Sequence, residues 1–114
     1  MIKLLIVAAG LTGLLSHTWS ALADDSEAIK QKAEQVCAAC HGSEGKKPAT
    51  PDAPRLAGQY DDYLEHALLE YQSGARQNAA MNGFAKALTA QEIRSLAQYF
   101  SGRSALSTRY WQDR

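Results

Sequence analysis

The chain has 114 residues, a length that bounds it to one small domain and excludes a multidomain catalytic scaffold. Lysine and arginine number 12, as do aspartate and glutamate, so no broad basic field exists to hold nucleic acid or an anionic membrane surface. The two cysteines, Cys37 and Cys40, cannot build the several bridges that stabilise small exported scaffolds, and something else has to supply that stability.

At the N-terminus, Lys3 is followed by the apolar run Leu4 to Leu15 and then by a more polar stretch ending Ala21-Leu22-Ala23 before Asp24-Asp25. One positive charge, a short apolar core and an A-x-A site make a secretory leader. The core is too short for the ~20 residues that a membrane-spanning helix needs. Residues 1–23 are therefore expected to be a signal peptide cleaved after Ala23, with residues 24–102 as the folded domain and 103–114 as a frayed or surface-packed tail. The expected location is the periplasm, with no membrane span once the leader is removed.

Within the domain, Ile29, Ala33, Val36 and Cys40 recur on one stripe of a 3.6-residue period and predict an amphipathic helix ending near Gly42. Ser43 to Gly58 holds Pro48, Pro51 and Pro54 with little periodicity, which predicts an irregular loop; so long a loop in a small domain is usually functional. Tyr60, Leu64, Ala67, Leu68 and Tyr71 form the apolar face of a second helix closed by Gly74, with Asp62, His66 and Glu70 as its solvated stripe. Ala75 to Leu88 has no clear period, contains the turn signal Asn82-Gly83 and reads as a loop that carries Met81. Thr89 and Glu92 form a capping box that opens the last helix, whose buried face is Ile93, Leu96, Ala97 and Phe100 and whose end is Gly102. The expected class is all-α, with three main helices joined by long loops.

Cys37-Ala38-Ala39-Cys40-His41 carries the chemistry. Two thiols three positions apart can each add to a vinyl group of one haem, and the adjacent imidazole is placed to ligate its iron; C-x-x-C-H is the c-type attachment pattern. A redox dithiol pair sits instead at a helix N-terminus after a strand, where the dipole lowers a thiol pKa. A zinc site lacks ligands beyond these three, and a disulfide closing so short a loop contributes little. One motif implies one covalently attached haem c per chain, and the apolar macrocycle becomes the core that so short a chain builds poorly alone. For the sixth iron position the inventory is Met81, His66, a lysine or nothing. His66 lies on the solvated face, whereas Met81, otherwise an ordinary gap-filling methionine, would complete the His/Met pair that suits electron transfer.

With Val36 to Gly42, Pro54-Arg55-Leu56-Ala57-Gly58-Gln59, Arg76 with Asn78 and Met81, and Leu88 to Phe100, the chain resembles the class I c-type cytochromes, in particular small bacterial ones of the c4, c5 and c553 kind. The resemblance implies a small cytochrome c fold wrapped around the haem. It implies that His41 and Met81 are axial ligands and that the Pro54 carbonyl accepts a hydrogen bond from the other His41 ring nitrogen, with Gln59 and Arg76 as partners of the haem propionates. Two departures stand out. Lys30 and Ala33 occupy the region of the family's helix-crossing glycine, which implies a looser crossing, and Ala79-Ala80 replaces the Asp-Pro before the methionine, which implies a less pre-set loop. The implied function is a monomeric one-electron carrier, not an enzyme, that meets redox protein partners transiently. A haem c subunit of a larger dehydrogenase or oxidase, with Trp111 at its interface, is a second reading. A ligand-binding or sensor haem protein without a firm sixth ligand is a third.

Overall fold

The computed structural model describes residues 18–104, with side chains from residue 25 onward. The expected leader up to residue 17, and tail residues 105–114 with Tyr110 and Trp111, lie outside the described residues. Every regular element among the described residues is helical: α1 (Thr18–Lys32), a π turn (Ala33–Cys37), α2 (Ala38–His41), a 3-10 turn (Ser43–Gly45), α3 (Asp61–Ser73), α4 (Ala79–Lys86) and α5 (Ala90–Ser101).

The first three form one uninterrupted helical run, because Lys32 (φ −60°, ψ −45°) and Ala38 (φ −63°, ψ −22°) keep right-handed helical angles at the joins. The Ala38 amide donates to the Ala33 carbonyl five residues back, which widens the turn and takes up an extra residue. Side chains beyond it fall one position off the 3.6-residue pattern. Along the expected stripe Ala33 is fully buried, and half-buried Cys37 and buried His41 follow it on the protein side, while Val36 and Cys40 border an open cavity. Gly42 ends the run at φ 79°, where an added Cβ would lie 1.8 Å from the Lys47 carbonyl oxygen, so no other residue fits.

The following loop is irregular but fastened. The Gly45 carbonyl accepts from the Leu56 and Ala57 amides at 3.0 and 3.1 Å, and the Gly58 amide donates to the Phe100 carbonyl at 3.0 Å. Helix α3 starts with Asp61 and Asp62, which suit the positive end of its dipole, and closes at Gly74 in the left-handed conformation. Leu64 on its apolar face is buried as expected, whereas Tyr60, at the N-cap, is 77% exposed.

Residues 79–86, expected as loop, are helical. The Asn78 side chain accepts from the Met81 amide at 3.0 Å and caps the first turn. Asn82, read as part of a turn signal, instead reaches back: its Nδ2 donates to the carbonyls of Tyr71 in α3 and of Arg76 just beyond it. The capping box of α5 forms as expected, with the Glu92 amide donating to Thr89 Oγ1 at 3.2 Å and the Thr89 amide to Glu92 Oε2 at 2.8 Å.

The core is a cluster of Ala33, Leu64, Leu96, Ala97 and Phe100, where α1 and its π turn cross α5 and α3 packs beside them. The expectation of a loose crossing is corrected: Ala33 is fully enclosed there, Lys32 donates to Glu92 at 2.5 Å, and the Tyr99 hydroxyl donates to Glu34 at 2.6 Å. Arg103, assigned to the tail, is also tied down, with its guanidinium 4.1 Å from the Tyr99 ring centre and 3.3 Å from Glu44.

Candidate functional site

The helical run from α1 to α2, helices α3, α4 and α5 and the loop after His41 line an open cavity of about 720 Å³. That is the size of a small-molecule site, and its wall is mainly apolar, including Val36, Leu64, Leu68, Phe84, Leu96 and Phe100. Seven of the residues singled out from the sequence border it: Cys37, Cys40 and His41 from the helical run, Pro54 and Gln59 from the loop, Arg76 and Met81 from the segment after α3. His66 does not; its side chain is 72% exposed and 3.4 Å from Glu70 on the outer face of α3.

His41 is 6% exposed, and its Nδ1 lies 2.8 Å from the Pro54 carbonyl oxygen. A carbonyl can only accept, so Nδ1 carries a proton and donates it to Pro54, which sets the direction of the ring. No buried side-chain nitrogen or oxygen among the described residues lacks a partner, so Nε2 is not sealed away but opens to the cavity that the ring borders. The imidazole is thus fixed in direction, with Nε2 as the ring nitrogen left to meet a ligand.

Cys37 and Cys40 are free thiols, half-buried and exposed respectively. Burial pushes the Cys37 thiol up from its ordinary value, against a smaller downward pull from Lys32. A dithiol redox pair requires the opposite shift. Among the described residues no three His, Cys, Asp or Glu side chains group as a metal site, so zinc is poorly served.

The charged part of the wall comprises Lys32, which is paired with Glu92, Asp52, and the two arginines Arg55 and Arg76, whose guanidinium groups suit a ligand that carries carboxylates. Arg76 donates to the Tyr63 hydroxyl at 3.4 Å, the main cause that raises its guanidinium pKa, and sits 5.3 Å from the Tyr71 ring centre. Gln59 uses its Oε1 locally, accepting from the Tyr60 amide at 2.9 Å. Arg55 and Tyr63 were not singled out as site residues; the position of Arg55 directly after Pro54 was the available signal for one, and nothing local marks the other.

Two thiols, an imidazole held by a carbonyl, a thioether and two arginines thus border one mainly apolar cavity, which is the donor set and wall that a flat apolar macrocycle with an iron and carboxylates calls for. The residues present therefore fit a haem c. The family model described as Cytochrome c matches residues 26–103. Cytochrome c4 of Pseudomonas aeruginosa is 35% identical over 99 residues, which cover 87% of this chain and 46% of that protein. The thiosulfate dehydrogenase electron acceptor of Thiomonas intermedia is 41% identical over 83 residues, 73% of this chain and 37% of that protein. The solved structure of Acidithiobacillus ferrooxidans cytochrome c4 superposes with a TM-score of 0.60 at 32% identity, over 67% of this chain and 48% of that one. The chain spans less than half the length of each of these relatives. Motif, all-helical fold, cavity and family match agree, and the chain belongs to the cytochrome c family.

Proposed function

We propose that this chain is an exported cytochrome that holds one haem c and passes single electrons between redox partners. The observation that carries the reading is the 2.8 Å bond between His41 Nδ1 and the Pro54 carbonyl at the edge of a cavity that Cys37, Cys40 and Met81 also border. In this reading Cys37 and Cys40 would hold the haem covalently, His41 Nε2 and the Met81 sulfur would be the donors to its iron, and Gln59 and Arg76 would pair with the propionates. When bound, haem supplies an iron that takes up and returns one electron, and a His/Met ligand pair favours a raised potential. The Pro54 carbonyl keeps the His41 ring from turning and makes its free nitrogen a better donor. Leu64, Leu96 and Phe100 in the wall exclude water, which keeps the site rigid and its dielectric low. No side chain is assigned an acid–base task.

The leader of residues 1–23, cleaved after Ala23, places residues 24–102 in the periplasm, outside the cytoplasm where haem c attachment occurs. No helix among the described residues is long and apolar enough to cross a membrane. Partner contacts are transient and small, as is usual for electron exchange. Service to one particular dehydrogenase is a second reading, favoured by the relative named as a thiosulfate dehydrogenase electron acceptor.

The test is the absorption spectrum of protein matured in a periplasm with haem-attachment machinery, oxidised and reduced, beside Met81→Ala. The expected result is attached haem with a weak far-red methionine-to-iron band in the oxidised form, lost in the variant. Attached haem without that band in the wild type moves the protein to a ligand-binding role, and no attached haem overturns the assignment. Co-purification of a stoichiometric partner decides for the dehydrogenase component.

A further inference from the structure

We propose that Asn82 is a positioning residue for the sixth iron ligand: its side chain fastens the helix that carries Met81 to the end of α3, and so keeps Met81 at the cavity and competing ligands out. The inference rests on the haem reading above.

Helix α4 has eight residues, too few to be stable by themselves in water, so its place depends on what anchors it. Met81 borders the cavity, whereas the neighbouring Asn82 does not, and each serves a different side of the helix. Asn82 Nδ2 donates to the Tyr71 carbonyl at 2.7 Å and to the Arg76 carbonyl at 2.8 Å, while its Oδ1 accepts from the Asn78 amide at 2.8 Å. Asn78 returns the contact, since its Oδ1 accepts from the Met81 amide at 3.0 Å and its carbonyl from the Asn82 amide at 2.8 Å. The peptide groups on either side of Met81 are thus both held by this asparagine pair, and through Asn82 the pair is joined to α3. The far end of α4 has a separate anchor, Gln72 Nε2, which donates to the Ala85 carbonyl at 3.0 Å and the Leu88 carbonyl at 2.8 Å. Ala79-Ala80 before Met81 provides no rigidity of its own, so the fixing comes from these side chains.

The same chemical change at the two asparagines separates the roles. Asn82→Asp keeps shape and acceptor but turns both donors into a carboxylate facing two carbonyls, which removes the anchor. Asn78→Asp keeps the oxygen that caps Met81, and aspartate caps as well as asparagine. Gln72→Ala weakens α4 at its other end and controls for loss of stability alone. The measurement is imidazole titration of the oxidised haem-loaded proteins, followed by the far-red methionine band, with thermal unfolding of each.

Asn82→Asp is expected to bind imidazole about tenfold more tightly than the wild type, because Met81 occupies iron for a smaller fraction of the time. Asn78→Asp should match the wild type, and Gln72→Ala should lower Tm without changing imidazole affinity. An unchanged band and affinity in Asn82→Asp overturns the proposal, as does an equal affinity gain in Gln72→Ala at equal loss of Tm. A wild type that holds haem without the band removes Met81 from the iron altogether, an outcome separate from failure of the anchor.

Discussion

Tyr99 donates to Glu34 Oε1 at 2.6 Å across the crossing of the first and last helices, and each group alters the acidity of the other. Burial, reinforced by the bond to Glu34 and its negative charge, pushes the Tyr99 hydroxyl up from 10.0 to about 12. The Tyr99 hydrogen bond is in turn the largest cause that holds the Glu34 carboxyl below its ordinary value, with help from the Glu44 amide and the Ser43 hydroxyl. A group raised in the folded state stabilises fully below its unfolded value, and that stability is lost as pH rises through the folded one. For a lowered carboxyl the stability is present above the unfolded value and is lost as pH falls through the folded one. Denaturant unfolding over a pH series is therefore expected to show stability falling from about pH 10 to 12 in the wild type. Tyr99→Phe should abolish that alkaline loss, shrink the acid-side loss that Glu34 causes, and cost about 1 kcal/mol at neutral pH.

The helices differ in what they show of themselves in the sequence. Helix α5 is legible from end to end, because its capping box joins Thr89 to a residue three positions on and its apolar face keeps the 3.6-residue period. The end of α3 at Gly74 is equally local. Helix α4 is not legible, since the contacts that place it run from Asn82 to Tyr71 and Arg76, and Asn82-Gly83 reads as a turn when those partners are unseen. The π turn escapes for a different reason: a fixed period assumes one winding, and the extra residue taken up between Ala33 and Cys37 shifts everything after it. The attachment motif survives that shift because Cys37, Cys40 and His41 are read by spacing to one another, whereas Tyr63 enters the cavity wall only through the packing of α3. Gly83 has no conformational or steric need to be glycine, as a Cβ there would meet nothing within 4 Å. Gly83→Ala is expected to stabilise the protein by about 0.5–1 kcal/mol in thermal unfolding, with the methionine band unchanged.

At the scale of the molecule, the protein core is thin. The buried apolar residues among those described are Ala33, Ala57, Leu64, Ala85, Ile93, Leu96, Ala97 and Phe100, and half of them are alanine. Beside them lies the cavity of about 720 Å³, so that in a chain this short the cofactor assigned to it is the packing partner of much of the apolar wall. Haem removal is thus a folding perturbation as much as a functional one. The double variant Cys37→Ser, Cys40→Ser, which cannot tether haem, is expected to lose helical circular dichroism and to unfold on the order of 20 °C below the haem-loaded protein. Unchanged melting would mean that the protein walls close on themselves. The π turn also bears on how relatives are lined up with this chain. Because Ala33–Cys37 takes up one residue more than an α-helical turn uses, a relative shorter by one there is expected to keep its cysteines and histidine on the cavity side with an ordinary turn in place of the wide one. A solved structure of such a relative with those side chains turned away would show that the extra residue sets how the cofactor is held, and not the winding alone.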